Sequence, residues 1–237
     1  MSDDYFNFKK FKVRNTNSAL KVNTDGVLLG AWASLNKNDN VLEIGTGSGV
    51  IALMLNQRFP SVNITAIDVD KLSYNEASFN VKLNEASNIN VVLEAVQNYS
   101  SIGKTFDHIV SNPPYFQNAT KPIDAGLNVA KHNDDLSFLD FWDAVEKLTH
   151  NRSSVSVILP FDESKYFIEL AKTRNFGIHK ILNIRPKVDS KTKRVIIEFR
   201  KPEFCVLEIS DMFMHHNGQH NYSDEYIHLT KDFYLAF

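Results

Sequence analysis

The chain has 237 residues, of which 43% are hydrophobic and 23% are charged, so it is long enough to bury a sizeable core. Its net charge of -2 excludes a strongly basic protein that would attract nucleic acid through its overall field, and any such attraction must come from local patches. The single cysteine excludes an internal disulfide framework. The sequence has no apolar signal region and no long apolar span, so we expect a cytoplasmic protein.

Short β-rich runs alternate with helical runs along most of the chain. The predicted elements are, in chain order, a strand at 40–44, a helix at 49–59, a strand at 62–67, a helix at 71–84, strands at 90–93 and 106–111, a helix at 137–149, a strand at 154–159, a helix at 162–173, and strands at 178–184 and 195–200. This alternation predicts a Rossmann-like α/β fold with a mostly parallel, seven-stranded sheet and helices on both faces. The last two strands lack an intervening helix, which predicts a closing antiparallel hairpin.

A glycine-rich loop, Glu43-Ile44-Gly45-Thr46-Gly47-Ser48-Gly49, connects the first predicted strand to a helix. Glycines turn tightly and let a ligand lie against bare backbone. Val50 stands where the dinucleotide fingerprint needs a third glycine, and no lysine follows as in a phosphate-gripping loop. Asp68 follows the second strand, where a carboxylate can accept hydrogen bonds from both hydroxyls of a ribose. Together these features predict an adenosine-bearing cofactor; a plain turn and a helix-capping acid are the alternatives.

The fourth predicted strand runs into the tetrapeptide Asn112-Pro113-Pro114-Tyr115. The amino group of adenine is a poor nucleophile, and hydrogen-bond acceptors on its two N–H groups can help it. The side-chain carbonyl of Asn112 and the main-chain carbonyl of Pro113 can supply them, and the two prolines stiffen the loop. Tyr115 offers a face on which an extruded base can stack. The tetrapeptide therefore predicts catalysis on an amino nitrogen, although a strand terminator with a packed tyrosine is the alternative.

With these motifs, the chain resembles the bacterial tRNA1(Val) (adenine-N6)-methyltransferase family of Rossmann-like methyltransferases. The resemblance extends nearly end to end, and its narrowest parts are segments 8–11, 20–33, 111–115, 221–223, 229–230 and 232–235. It implies a single domain that binds S-adenosylmethionine and methylates the adenosine 3′ of the anticodon in a valine tRNA. It also implies that residues 1–35 cover the cofactor site while residues 36–237 form the core. The candidate cofactor-binding residues are then Thr24, Asp25, Glu43, Gly45, Thr46, Gly47, Gly49, Asp68 and Asn112.

One departure from the family concerns the stretch after the third strand. Relatives usually carry an aspartate there, next to the adenine of the cofactor, whereas this chain has Leu93-Glu94-Ala95-Val96-Gln97. Either Glu94 or backbone N–H groups could take over that contact.

Two locally basic stretches are candidates for binding RNA, with an ordinary solvated face as the alternative. The first candidates are Lys187, Lys191, Lys193 and Arg194, and the second are Lys9, Lys10 and Lys12. The pair Lys131-His132 could contact a phosphate or form an exposed turn. No cluster of Cys and His has the spacing of a metal site.

Two other functions remain open from the residues alone. An N-methyltransferase could act on another rRNA or DNA base, or on a protein glutamine, because an amide nitrogen presents the same two N–H groups. A non-catalytic RNA-binding module would be expected to have lost one of the two loops, and both are intact. Cys205 is expected to be a small buried core residue, and Glu76, Glu85 and Glu94 are expected to be solvated carboxylates.

Overall fold

The computed structural model describes residues 4–18, 21–100, 103, 105–114, 136–216 and 221–237. Its helices are α1 (Thr24–Trp32), α2 (Val50–Arg58), α3 (Lys71–Leu83), α4 (Phe138–Leu148), α5 (Phe161–Thr173) and α6 (Asp224–Thr230). Its strands are β1 (Tyr5–Asn7), β2 (Lys12–Arg14), β3 (Asn40–Ile44), β4 (Asn63–Asp68), β5 (Ile89–Leu93), β6 (Phe106–Ser111), β7 (Thr149–Pro160), β8 (Gly177–Lys187), β9 (Arg194–Arg200) and β10 (Glu208–His215). Within these ranges, none of the helices is both long enough and apolar enough to cross a bilayer.

Eight of the strands form one sheet in the order β10-β8-β9-β7-β6-β3-β4-β5. Strand β9 runs antiparallel to both β7 and β8, and the other neighbouring pairs are parallel. The Rossmann-like α/β fold with a closing antiparallel hairpin is therefore confirmed, but the predicted count of seven strands is wrong. The eighth strand, β10, escaped prediction because residues 208–211 at its start are exposed and carry no apolar alternation.

The sheet separates two hydrophobic cores. Successive residues of one strand point to opposite faces, so Val110 belongs to one core while Ile109 belongs to the other. Leu28 of α1 is buried in the first core. Trp142 of α4 and Phe167 of α5 are buried in the second, with their ring centroids 5.1 Å apart. Helices thus cover both faces, as expected for a largely parallel sheet whose central strands β3, β6 and β7 are mostly buried.

Two asparagines, Asn80 of α3 and Asn84 at its C-cap, hold the N-terminal segment by its backbone. The side chain of Asn84 accepts a hydrogen bond from the N–H of Lys12 (3.1 Å) and donates one to its carbonyl (2.8 Å). One turn earlier, Asn80 does the same for Arg14, with distances of 2.8 and 3.0 Å. Its amide also donates to the carbonyl of Ser48 in the glycine loop (2.9 Å). The side-chain amides of these two asparagines therefore make to β2 the hydrogen bonds that the backbone of a neighbouring strand would make.

Glu76 continues this row one further turn along α3, and the expectation that it is solvated is wrong. Its side chain is inaccessible to solvent, and its oxygens accept hydrogen bonds from the N–H groups of Thr16 (2.9 Å), Asn17 (3.0 Å) and Ser18 (2.8 Å). Burial alone would raise the pKa of this carboxyl, but hydrogen bonds from Ser18, Asn17 and Thr16 outweigh it and lower the pKa to about 2. A charged carboxylate thus organises residues 16–18.

Cys205 is half-buried rather than part of the core, so that prediction is also wrong. A short 3-10 helix, Pro202–Phe204, precedes this cysteine, and the N–H of the next residue, Val206, donates to Nδ1 of His179 in β8 (3.0 Å). The side chains of Val206 and Leu207 nevertheless lie more than half exposed.

Candidate active site

A cavity of about 500 Å³ opens beyond the carboxyl ends of β3, β4, β5 and β6, where ligands bind in sheets of this kind. The residues of the predicted site that line it are Asp25, Gly45, Gly47, Asp68, Asn112, Pro113 and Pro114. In the described part of the chain, its wall does not include the other four cofactor candidates: Thr24, Glu43, Thr46 and Gly49. Most of the predicted site is thus gathered around one cavity.

The backbone conformation of the glycine loop calls for its glycines. Gly45 (φ 74°) and Gly47 (φ 55°) both adopt left-handed backbone conformations, which other residues rarely do. A Cβ placed on Gly45 would meet no atom within 4 Å, so this position faces open space at the cavity. Gly49 also has a left-handed backbone (φ 82°), and a Cβ there would meet Ala77 of α3 at an ordinary contact distance of 3.4 Å, so the backbone conformation is what calls for glycine at this third position.

Asp68 supports the glycine loop and also faces the cavity. Its Oδ2 accepts a hydrogen bond from the N–H of Gly47 (2.8 Å), and its Oδ1 accepts one from the N–H of Asp70 (2.9 Å). Burial raises the pKa of this carboxyl, while the hydrogen bond from Gly47 works in the opposite direction. A carboxylate has about four acceptor positions, so Asp68 can hold the loop and still bind the hydroxyls of a ribose.

Glu43 and Thr46 form a buried pair behind the loop. The hydroxyl of Thr46 donates to Oε2 of Glu43 (2.8 Å), whereas Oε1 has no hydrogen-bond partner among the described residues. Burial raises the pKa of Glu43 to about 8, and the nearby charge of Asp68 acts in the same direction. Glu43 is therefore a neutral acid at pH 7 that supports the loop from inside the protein.

Asn112 and Pro113 leave the end of β6 beside the glycine loop, and both are buried at the wall of the cavity. The preceding residue, Ser111, pairs with Ile44 across β3 and β6. Parallel pairing of these two strands thus sets the start of the tetrapeptide next to Gly45. Tyr115, the fourth residue of the tetrapeptide, lies outside the described residues, as do Lys131 and His132.

The first turn of α1 contributes two residues to the cavity, Asn23 and Asp25. Asn23 is the N-cap of the helix, since its side chain accepts a hydrogen bond from the N–H of Gly26 (2.8 Å). The position of Asn23 at the cavity was not predicted.

The stretch that lacks the usual aspartate, Glu94–Gln97, also lines the cavity. Oε1 of Glu94 accepts a hydrogen bond from the adjacent N–H of Ala95 (2.9 Å), so its carboxylate is turned toward its own backbone. Gln97 was not expected at the site. Its exposed amide is a second side chain in this stretch with hydrogen-bonding capacity.

Known proteins are similar in sequence to this protein over essentially the whole chain. A tRNA1(Val) (adenine(37)-N6)-methyltransferase from Pseudoalteromonas translucida is 39% identical over 230 residues, which cover 97% of this chain and 98% of the relative. Proteins of the same name from Phocaeicola vulgatus and Trichodesmium erythraeum are 40% and 37% identical and cover at least 99% of each chain. The chain belongs to the tRNA1(Val) (adenine(37)-N6)-methyltransferase family. Its methyl donor is S-adenosylmethionine.

Two further comparisons agree with this membership. The family model of the methyltransferase small domain matches residues 18–135. Among solved structures, a predicted O-methyltransferase from Agrobacterium tumefaciens superposes with a TM-score of 0.71 at 18% identity, covering 88% of this chain and 96% of that one. A methyltransferase from Pyrococcus furiosus gives a TM-score of 0.57 at 22% identity, with coverage of 80% and 89%. At these identities the likeness concerns the fold alone.

The basic residues of this methyltransferase fall into different environments. Lys187, Lys191 and Lys193 are exposed around the turn between β8 and β9. Arg194 begins β9, and its Nε lies 2.8 Å from Oδ2 of Asp25.

The second basic stretch is partly engaged in contacts within the protein. Lys9 donates from Nζ to the carbonyls of Lys231 (2.8 Å) and Phe237, and Nζ of Lys12 lies 5.5 Å from the ring centroid of Tyr5. Lys10 is exposed.

Proposed function

We propose that the protein transfers a methyl group from S-adenosylmethionine to the N6 amino group of the adenosine 3′ of the anticodon, position 37, in a valine tRNA, as the names of its relatives describe. One observation carries this proposal: the glycine loop and the Asn112-Pro113 segment face the same cavity from neighbouring strands. A donor site and a group that accepts hydrogen bonds from an amine are thereby adjacent.

The open space at Gly45 and the hydrogen-bonding groups of the cavity suit S-adenosylmethionine. Gly45 leaves open space where a side chain would otherwise stand, and Asp68 presents a carboxylate suited to a ribose. The stretch from Glu94 to Gln97 supplies both backbone and side-chain polar groups for an adenine. When bound, the cofactor supplies an electrophilic methyl group on a sulfonium. The protein's own part is to hold the acceptor in line and to exclude water.

The acceptor nitrogen is made more reactive by hydrogen bonds to its two N–H groups. In this proposal the Asn112 side-chain carbonyl accepts one, and the Pro113 main-chain carbonyl accepts the other. Both residues are buried and follow a central strand, so their positions are fixed before the substrate arrives. Pro114 limits the freedom of the loop, and Tyr115 is assigned the role of stacking on the extruded base.

The basic turn between β8 and β9 lies at the same end of the sheet as the cavity. Pro160, at the carboxyl end of β7, pairs with Arg194, which in turn pairs with Ile184 of β8. The turn carrying Lys187, Lys191 and Lys193 therefore projects beyond the same carboxyl ends as Asn112. Unpaired loop bases cost less to extrude than duplex bases, and RNA recognition usually targets such loops. The three lysines are accordingly proposed to contact phosphates of the anticodon arm.

The decisive experiment supplies the purified protein and labelled S-adenosylmethionine with three acceptors: a valine tRNA transcript, the same transcript with guanosine at the proposed position, and a glutamine-containing peptide. We expect N6-methyladenosine by mass spectrometry in the first transcript and no incorporation in the other two acceptors. Incorporation into the peptide but not the tRNA would support a protein glutamine methyltransferase. Equal labelling of both transcripts would refute the assigned position.

A further inference from the structure

An ion pair joins the wall of the cavity to the β8–β9 hairpin. Asp25, in the first turn of α1, contacts Arg194 at the start of β9, with 2.8 Å between Oδ2 and Nε. The two side chains are 19% and 34% exposed, so the pair is only partly open to solvent. Asp25 lines the cavity whereas Arg194 does not. The guanidinium therefore acts on the cavity through the carboxylate that it holds.

The backbone on the Arg194 side is firmly fixed. Lys193 donates its N–H to the carbonyl of Ile184 (2.9 Å), and its own carbonyl accepts the N–H of Phe161 (3.1 Å). Arg194 itself occupies a register position opposite Pro160 and Ile184 at once. The start of β9 is thus tied to β8 and to the start of α5, which gives the guanidinium a rigid base.

We propose that Arg194 is a positioning residue for the donor site, and not one of the residues that contact phosphates of the RNA. Its guanidinium fastens the first turn of α1 to β9 and so keeps the Asp25 carboxylate at the cavity wall. This proposal rests on the proposed function, because it assumes that S-adenosylmethionine occupies the cavity.

The charge of the ligand explains why a carboxylate held at the cavity wall would assist binding. S-adenosylmethionine carries positive charge on its sulfonium and on its amino group, and a carboxylate at the wall attracts both. Asp25 has enough acceptor positions to remain paired with Arg194 while it faces a cationic ligand. Since a partly exposed pair contributes little to folding stability, removing it should alter ligand affinity more than the melting temperature.

A double-mutant cycle tests the proposal. S-adenosylmethionine affinity is measured by calorimetry for Arg194→Gln, Asp25→Asn and the double variant, alongside Arg194→Lys and the control Arg185→Gln. Arg185 lies in the same hairpin, and its Nη1 donates to the carbonyl of Val188 (3.0 Å). We expect Arg194→Gln to weaken binding about three- to thirty-fold, with the double variant no weaker than Asp25→Asn. Arg194→Lys should recover part of the loss, and Arg185→Gln should bind normally.

A second measurement separates this role from RNA binding. The slope of log tRNA affinity against log salt should be unchanged in Arg194→Gln, whereas a lost phosphate contact would reduce it by about 0.7–0.9. Normal cofactor affinity with a reduced slope would overturn the proposal, as would additive losses in the double-mutant cycle. Calorimetry needs no acceptor, so a wild-type protein that binds the cofactor but leaves valine tRNA unmethylated would refute the substrate assignment without touching this inference.

Discussion

The hydroxyl of Ser111 donates a 2.8 Å hydrogen bond to the main-chain carbonyl of Ile44. Each residue directly precedes a loop of the site: Asn112 follows Ser111, and Gly45 follows Ile44. The bond is fully buried and adds to the parallel pairing of the same two residues. The distance between the acceptor loop and the donor loop is therefore set by adjacent strands, which is the precondition for transfer between two bound molecules.

We expect Asn112→Ala to lower kcat roughly a hundred- to thousand-fold, because it removes one preorganised acceptor from the transition state. Cofactor affinity, measured by calorimetry, should change much less than kcat. Ser210→Ala serves as a control, since it too removes a polar side chain, one that donates to the carbonyl of Ile181 (3.2 Å), but at the far edge of the sheet. An Asn112→Ala enzyme with wild-type turnover would remove Asn112 from the mechanism.

Gly45→Val should abolish detectable cofactor binding, because the branched side chain would project into the cavity. Gly103→Val is a matched control: both glycines have nearly the same φ, 74° and 75°, and a Cβ at either position meets nothing within 4 Å. The two substitutions thus impose similar backbone strain, but Gly103 does not line the cavity. Equal cofactor affinities in calorimetry for the two variants would contradict the donor site.

Glu43→Gln should leave cofactor affinity nearly unchanged at pH 7, because the carboxyl that it replaces is already neutral. Glu43 ionises near 4.5 in the unfolded chain and near 8 in the folded protein, so the folded state retains a proton across that interval. The unfolding free energy of wild type relative to Glu43→Gln should therefore fall as pH rises from 4.5 to 8. Urea unfolding across this range measures it. A large loss of affinity in Glu43→Gln would instead indicate a charged contact with the cofactor.

Glu76→Gln should destabilise the protein by about 2–3 kcal/mol at pH 7, since it weakens several hydrogen bonds to a charged acceptor. The pKa of Glu76 is lowered on folding, so its contribution is complete above pH 4.5 and is lost as pH falls toward 2. Denaturant unfolding at pH 7 and at pH 3 should show the two proteins converging at low pH. Glu169→Gln, an exposed carboxylate paired with Lys172 (2.7 Å), should cost almost nothing.

Replacing the lysines of the β8–β9 turn should weaken tRNA binding and leave cofactor binding intact. The variant is Lys187, Lys191 and Lys193→Ala, and each lost phosphate contact should reduce the salt slope of log affinity by about 0.7–0.9. A control with the same change of charge uses exposed lysines at the opposite end of the sheet: Lys37, Lys82 and Lys147→Ala. If log tRNA affinity falls equally steeply with log salt in the two triple variants, the lysines of the turn do not contact the phosphates of the RNA.

Much of the site could be predicted because its signals are local. The glycine loop, Asp68 and the Asn112 tetrapeptide each follow a strand with a clear apolar run, and parallel strands bring their carboxyl ends together. The order of the elements then predicts the fold with little further information. Among the strands of the large sheet β10 was the exception, because its first four residues are exposed and only Met212 is buried. The short strands β1 and β2 and the helix α6 were not predicted either.

The remaining features depend on contacts that are distant in sequence. Nothing near Glu76 indicates that residues 16–18, about sixty positions earlier, will cover it. In the sequence Arg194 is one more cation of a basic turn, and only the fold brings Asp25, 169 positions away, beside it. Glu43 likewise gives no local sign of its burial. In each case the tertiary environment, and not the residue type, decides whether a charge is retained, paired or suppressed.

The amide of Asn80 also has a consequence for how the molecule is made. Residue 14 and residue 48 leave the ribosome before residue 80 does, yet both are fastened by this one side chain. Until α3 has been synthesised and has docked, the glycine loop and the N-terminal segment both lack the contact that locks them in place. The nascent chain therefore cannot complete its donor pocket before this later helix has been translated.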